Sequence, residues 1–328
     1  MECCNPYFAY DTGKLTDKGN KKYFIDFGRS VTKKPFSYLC GCDSKKIDFV
    51  HLPPYSHCEN GIWYLDKFVK IPCGKCPACQ LRKASDLSTR LYFESFMWSS
   101  WYFVTLTYND SFYSEDRDFK RDFQLFMKRL RKEIESPVRF FASFEKGEHT
   151  RRGHFHMILF FDDIDDNLVF LKKNHDNDYF SSCLISKCWP YGFNVTCPSS
   201  DNLACFNYVS RYCCKKVGDN DSFQLFSRRP GLGVEGFENV YRSGQDSVLI
   251  HSNGKTFRKN IPKFLREKLK LFDPDSFDQI NDKIKNFIYA SYYSPLTDID
   301  LIDDPEYRKE RKIEQVLLSQ ENKFKKKL

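Results

Sequence analysis

No apolar run in the sequence approaches the roughly 20 residues that a transmembrane helix requires, so a membrane-spanning architecture is not expected. The first residues, Met1-Glu2-Cys3-Cys4-Asn5-Pro6, lack both a basic segment and an apolar one, and no secretory signal is expected. An internal repeat is missing too. Nor is charge of one sign in great excess: 52 Lys and Arg stand against 44 Asp and Glu, a formal +8. That surplus is too modest to establish a polyanionic partner. With secretion set aside, the 14 cysteines read as reduced thiols, small buried hydrophobes or metal ligands rather than a disulfide framework.

What is present describes a globular chain. Its 328 residues, 41% hydrophobic and 29% charged, are enough for one large domain or two ordinary ones. Aromatics reach 17%, with 32 Phe and 19 Tyr, which suits a phenylalanine-rich core or a surface that stacks on unpaired bases. Residues 1–79 look like an irregular, cysteine-rich lobe whose best strand is Ile62 to Val69. Residues 80–235 carry the strongest patterns: a helix from about Gln80 to Trp98, a strand at Trp101 to Tyr108, and an amphipathic helix spaced by Phe119, Phe123, Phe126, Met127, Leu130 and Ile134. Ser136-Pro137 stops that helix. A hairpin of Val138 to Glu145 and His154 to Phe161 follows, then a mixed region, a strand at Tyr191 to Thr196 and a helix at Asn202 to Lys216. Residues 236–328 form a turn-rich and helical extension, with helices near Lys263 to Leu271 and Asp278 to Tyr289 and a basic tail. Hairpin connections predict an antiparallel sheet flanked by helices, an α+β class.

The residues richest in chemistry are Gly153-His154-Phe155-His156. Alternation along a strand puts His154 and His156 on one face, and Phe155, Met157, Leu159 and Phe161 on the other. Two imidazoles on one face suit a metal, and a third ligand has to decide the matter. Glu145 qualifies if the turn pairs it with His154 or its neighbour; Glu148 and His149 are alternatives from the turn itself. Two surface-polar histidines on a half-exposed strand are the plainer reading.

A second group lies on the predicted helix. Tyr208, Tyr212 and Lys215 fall on one stripe at i, i+4 and i+7. They are packing aromatics or nucleophiles. A free phenol is only about one part in a thousand phenolate at neutral pH, so covalent use needs a cation such as the Lys215 ammonium, or a metal on the phosphorus.

Taken in order, Phe103-Val104-Thr105-Leu106-Thr107-Tyr108, His154-Phe155-His156 and Tyr208-Val209-Ser210-Arg211-Tyr212-Cys213-Cys214-Lys215-Lys216 resemble the HUH endonuclease superfamily in its two-tyrosine form, and within it the replication initiators of microviruses. Pro72-Cys73-Gly74-Lys75-Cys76, Ser227-Arg228-Arg229-Pro230-Gly231-Leu232-Gly233 and Cys4-Asn5-Pro6 extend the likeness, which covers about residues 70 to 235. The resemblance implies an antiparallel sheet of about five strands carrying Mg²⁺ or Mn²⁺ on His154, His156 and Glu145. It implies attack by Tyr208 or Tyr212 on single-stranded origin DNA, through a 5′-phosphotyrosine and a free 3′-hydroxyl that primes a host polymerase. The partners are then origin DNA and host helicase and polymerase, no membrane is involved, and the setting is the cytoplasm of a host bacterium.

Cys73, Cys76 and Cys79 supply three thiols ahead of a helix, and structural zinc needs a fourth ligand. The family resemblance favours Cys4; Cys40, Cys42, His57 and Cys58 compete. Arg151, Arg152, Arg211, Lys216, Arg228 and Arg229 are candidate phosphate contacts, or solvated surface charges. Two further readings remain open at this level: a relaxase or transposase of the same superfamily, and a zinc-stabilised nucleic-acid-binding protein without catalysis.

Overall fold

A computed structural model of the chain describes residues 3, 7–17, 19, 21–26, 37–39, 56–59, 62–65 and 68–292, apart from 148–151, 175–176, 199–201, 216–221 and 253. The chain divides into two units, residues 1–82 with 278–328, and residues 83–277.

The first unit is less irregular than its sequence suggests. It holds β1 (Tyr7–Leu15), β2 (Lys21–Asp26), β3 (Ser37–Leu39), β4 (Ser56–Glu59), β5 (Ile62–Leu65) and β6 (Phe68–Ile71). They pair as two three-stranded antiparallel sheets, ordered β2-β1-β6 and β3-β5-β4. The single strand expected from Ile62 to Val69 is in fact two. β5 pairs with β3 and β4, whereas β6 pairs with β1. Continuous β-forming composition hid the change of sheet. α1 (Pro77–Ser95) starts in this unit with proline at its first position, where a missing N–H costs nothing.

The second unit contains β7 (Ser100–Tyr108), α2 (Phe119–Glu133), β8 (Arg139–Lys146), β9 (Gly153–Phe161), β10 (Leu168–Asn174), β11 (Asn177–Ser182), α3 (Cys183–Cys188), β12 (Gly192–Pro198), α4 (Asn202–Lys215), β13 (Phe223–Phe226), α5 (Val234–Val240), the hairpin β14 (Ser247–Ser252) and β15 (Lys255–Asn260), and α6 (Lys263–Phe272). α7 (Pro274–Tyr292) follows. The main sheet is antiparallel, ordered β10-β11-β12-β7-β9-β8-β13. It has seven strands, not about five. β10 and β11 come from the stretch that looked mixed, where a bulge between Phe170 and Lys172 breaks the alternation.

Pleating divides the side chains of the central strands. Val104, Leu106 and Tyr108 of β7 and Phe155, Met157, Leu159 and Phe161 of β9 are buried in one core with Phe123, Phe126, Met127 and Leu130 of α2. Burial of each such side chain contributes about 1.5–3 kcal/mol. The Asp118 side chain caps α2 by accepting from the Arg121 N–H at 3.0 Å. Inside the helix, Asp122 accepts from the Tyr108 hydroxyl at 3.0 Å and from Arg117 Nη2 at 3.2 Å, so this buried carboxylate is compensated. At the start of β12, Gly192 is obligatory by contact: a Cβ there would lie 2.1 Å from the Thr107 carbonyl oxygen. On the opposite face of the sheet lie Trp101, Phe103, Thr105 and Thr107 of β7, and the two histidines of β9.

The Ser227 to Gly233 run closes onto α1. Gly233 N–H donates to Glu94 Oε2 at 2.6 Å, Arg90 Nε donates to the Leu232 carbonyl at 3.1 Å, and Arg139 Nη2 to the Pro230 carbonyl at 2.8 Å. Gly233 has φ +78°, a conformation that L side chains rarely adopt.

Candidate metal centre and tyrosine helix

The antiparallel register of β8 and β9 sets Glu145 directly opposite His154 and Ser143 opposite His156. On the other flank, β7 places Thr107 beside His154 and Thr105 beside His156. Directly paired residues share a face, so Glu145, His154 and Thr107 form one row, which Phe193 of β12 extends. Phe193 is 66% exposed.

Glu145 Oε1 lies 3.0 Å from His154 Nε2 and 3.5 Å from His156 Nε2. The ligand atoms of all three residues are within 4.8 Å of one another. The far sides of the rings fix their orientation. His154 Nδ1 is 3.2 Å from the Arg152 carbonyl, which only accepts, so Nδ1 carries the proton there. Nε2 of the neutral ring then turns its lone pair on the Glu145 carboxylate. His156 Nδ1 sits 3.1 Å from Thr105 Oγ1. Three lone-pair groups thus converge, an arrangement that calls for a cation among them, either a proton on one imidazole or a metal ion. The donor set fits a divalent metal with positions left open.

Electrostatics agree with that geometry. Burial alone would raise the Glu145 carboxyl, but hydrogen bonds and charge from His154 and His156 outweigh it and hold it down to about 2. Burial lowers His156 most, with Glu145 pulling upward and His154 adding to the lowering, so its lone pair is available at neutral pH.

α4 lies over the same face. Phe206 is fully buried, with ring centroids 4.9 Å from Trp101 and 6.0 Å from Phe160. Asn207 Oδ1 accepts from the Ser88 hydroxyl of α1 at 2.7 Å. Between these anchors, half-buried Tyr208 meets the Phe103 ring edge-on at 5.7 Å, and Phe103 in turn stacks on His156 at 6.0 Å. The phenol and the imidazole therefore share one aromatic neighbour. Tyr212 and Lys215 follow on the same helix, while Lys216 lies outside the described residues. Phe103 and Thr105 were not singled out from the sequence. The alternation of Trp101, Phe103, Thr105 and Thr107 put them on one face, but only β9 pairing shows which face.

Among the expected phosphate contacts, Arg152 donates to the Tyr108 carbonyl at 3.3 Å and forms an ion pair with Asp110. Arg228 and Arg229 are exposed, and Arg228 lies 5.8 Å from the Phe226 ring centre. Arg211 is half-buried on α4, and Arg151 lies outside the described residues.

A second cluster belongs to the first unit. Cys3, Cys73, Cys76 and Cys79 bring four sulfurs within 4.8 Å of one another. The fourth thiol here is Cys3; Cys4 lies outside the described residues, as do Cys40 and Cys42. Cys3 Sγ and Cys76 Sγ are 3.7 Å apart, close to the edge of about 3.8 Å that a tetrahedron of 2.3 Å Zn–S bonds requires. Backbone N–H groups of Cys73 and Cys76 donate to Cys3 Sγ at 3.2 Å and Cys73 Sγ at 3.3 Å, a pattern that favours thiolates. Gly74, at φ +74°, makes the turn between them.

Comparison with known proteins agrees with the likeness drawn from the sequence. Residues 101–217 match the family of the replication-associated protein ORF2. The chain is 29% identical over 230 residues to replication-associated protein VP4 of Bdellovibrio phage phiMH2K, covering 65% of this chain and 72% of that one. It is 28% identical over 225 residues to replication-associated protein ORF4 of Chlamydia phage 1, covering 63% of this chain and 55% of that one. No solved structure matches it. The expected similarity to replication proteins of small, microvirus-like phages is thus borne out.

Proposed function

We propose that this chain is a metal-dependent single-stranded DNA endonuclease and strand transferase that starts and ends rolling-circle replication of a small phage. The observation that carries the reading is the convergence of His154, His156 and Glu145 beside a helix whose Tyr208 shares the Phe103 ring with His156. Names of the related phage proteins point to replication, and single-stranded origin DNA is the matching substrate.

His154, His156 and Glu145 would hold Mg²⁺ or Mn²⁺, which supplies Lewis-acid polarisation of a phosphate oxygen. The chain's own residues do the rest. Thr105 and the Arg152 carbonyl fix the two rings through their Nδ1 atoms. Phe193 offers an exposed ring for an unpaired base. The Tyr208 or Tyr212 oxygen bonds to phosphorus as the bond from phosphorus to O3′ breaks; the phenolic proton is balanced by the one gained at the 3′-hydroxyl. Lys215, on the same helix, is the cation assigned to favour phenolate. One ester replaces another, so a second tyrosine permits a second cleavage and rejoining without hydrolysis. Host helicase and polymerase then act on the 3′-end in the host cytoplasm. Cys3, Cys73, Cys76 and Cys79 are assigned to structural Zn²⁺.

Incubation with Mn²⁺ and labelled single-stranded oligonucleotides carrying the phage origin, followed by denaturing electrophoresis, tests this. A covalent protein–DNA band that disappears in the Tyr208→Phe/Tyr212→Phe variant is expected. Reversible binding with no such band under any divalent ion would refute the nicking assignment and leave a nucleic-acid-binding protein.

A further inference from the structure

Charge is out of balance at one place in the second unit away from the histidines. Arg211 of α4, Lys259 of β15 and Arg266 of α6 are all half-buried. Lys259 lies within electrostatic range of Asp86 and Arg211, and Arg266 and Arg90 within range of the same Asp86. Other nearby partners are already engaged. Arg90 donates to the Leu232 carbonyl and covers the Phe264 ring at 3.9 Å. Glu94 accepts from Arg139 and from the Gly233 N–H, and Glu267 pairs with Lys270 at 2.8 Å.

Among the described residues, Arg211, Lys259 and Arg266 form no ion pair, and the buried Nε of Arg266 has no hydrogen-bond partner. Burial pushes all three below their ordinary pKa. Cations that have lost water and gained no counter-charge are costly, and folded proteins pair them. The cost here is borne on rigid elements. The β14–β15 hairpin is held by the Tyr92 hydroxyl, which receives the His251 N–H at 3.2 Å, and buries Val248 and Ile250. Two forked guanidinium groups and an ammonium suit an oxyanion with several acceptor oxygens.

We propose that Arg211, Lys259 and Arg266 bind a backbone phosphate of the single-stranded DNA, next to the one attacked on α4. Arg211 stands three residues after Tyr208, one helical turn along the same side. This assignment rests on Tyr208 as nucleophile for its place along the DNA, while the pairing of cations with phosphate does not.

The test uses the full chain with Lys259→Gln, Arg266→Gln and the double variant. Binding of a labelled single-stranded oligonucleotide is followed by fluorescence anisotropy across a salt series, with thermal melts in the absence of DNA and with inorganic phosphate. Each substitution is expected to weaken binding about fivefold and to flatten the salt slope by about 0.7. The thermal midpoint without DNA should hold or rise, because an uncompensated cation has gone. An unchanged slope with a lowered midpoint would make these cations structural and overturn the proposal. Inorganic phosphate raising the wild-type midpoint alone, with oligonucleotide slopes unchanged, would give the site to free phosphate and overturn the DNA assignment. The covalent-band assay separates the two readings: a band with unaltered slopes sinks this site only, and altered slopes without a band sink the nicking chemistry only.

Discussion

The molecule gathers metal-binding side chains twice, in ways that teach different things. In the first unit, four cysteine sulfurs face one another with backbone N–H groups behind two of them, so a tetrahedral ion there would have every position filled. In the second unit, two imidazoles and one carboxylate leave positions free. A filled shell holds chain segments together, whereas an open one can take a substrate oxygen. Ligand count therefore separates a support role from a chemical one before any activity is measured.

Removing a ligand from each cluster should break the comparison most visibly. Structural zinc contributes apparent folding energies of about 10–16 kcal/mol in small domains. Cys73→Ser/Cys76→Ser is expected to abolish amide-exchange protection across β1 and β6, and intact protection would end the structural assignment. His156→Ala should leave the thermal midpoint nearly unchanged and cut covalent-band formation by about a thousandfold, the scale of several kcal/mol of charge stabilisation. Equal losses of stability at both clusters would erase the distinction.

Subtler changes sharpen it. Gly192→Ala forces a Cβ towards the Thr107 carbonyl, 2.1 Å away, and should cost about 1–3 kcal/mol in urea melts with a matching loss of nicking. The cysteine cluster should keep its metal. Thr105→Val removes the hydroxyl beside His156 Nδ1 and should weaken Mn²⁺ binding about tenfold, recoverable with excess Mn²⁺. Smallest of all is a difference among isolated thiols. Burial, with Glu133 adding to it, pushes Cys188 up to about 11, while Cys183 is exposed. Mild alkylation at pH 8 should label Cys183 early and Cys188 last, and should reach the clustered cysteines only after chelation.

Much of this was legible in the chain, for identifiable reasons. α2 showed through its phenylalanine spacing, and the hairpin of β8 and β9 through a strict alternation that also put both histidines on one face. β10 did not, because a bulge and three exposed apolar residues, Val169, Phe170 and Leu171, blur its pattern. Cys3 and Cys4 are neighbours of equal chemistry, so only geometry selects between them. Lys259 and Arg266 escaped notice because their association with Arg211 spans three elements distant in sequence, and ordinary surface lysines and arginines look the same on paper.

Pleating gives β9 a further property. Sliding that strand by one residue against its neighbours would carry both imidazoles to the interior and turn Phe155, Met157, Leu159 and Phe161 out to water. Re-exposing four such side chains forfeits about 6–12 kcal/mol, comparable to the whole stability of many domains. A chain that has misassembled its reaction centre in this way would thus fail to stay folded at all. The oily half of the strand proofreads the polar half, and molecules that survive quality control arrive with their ligands already facing the right way.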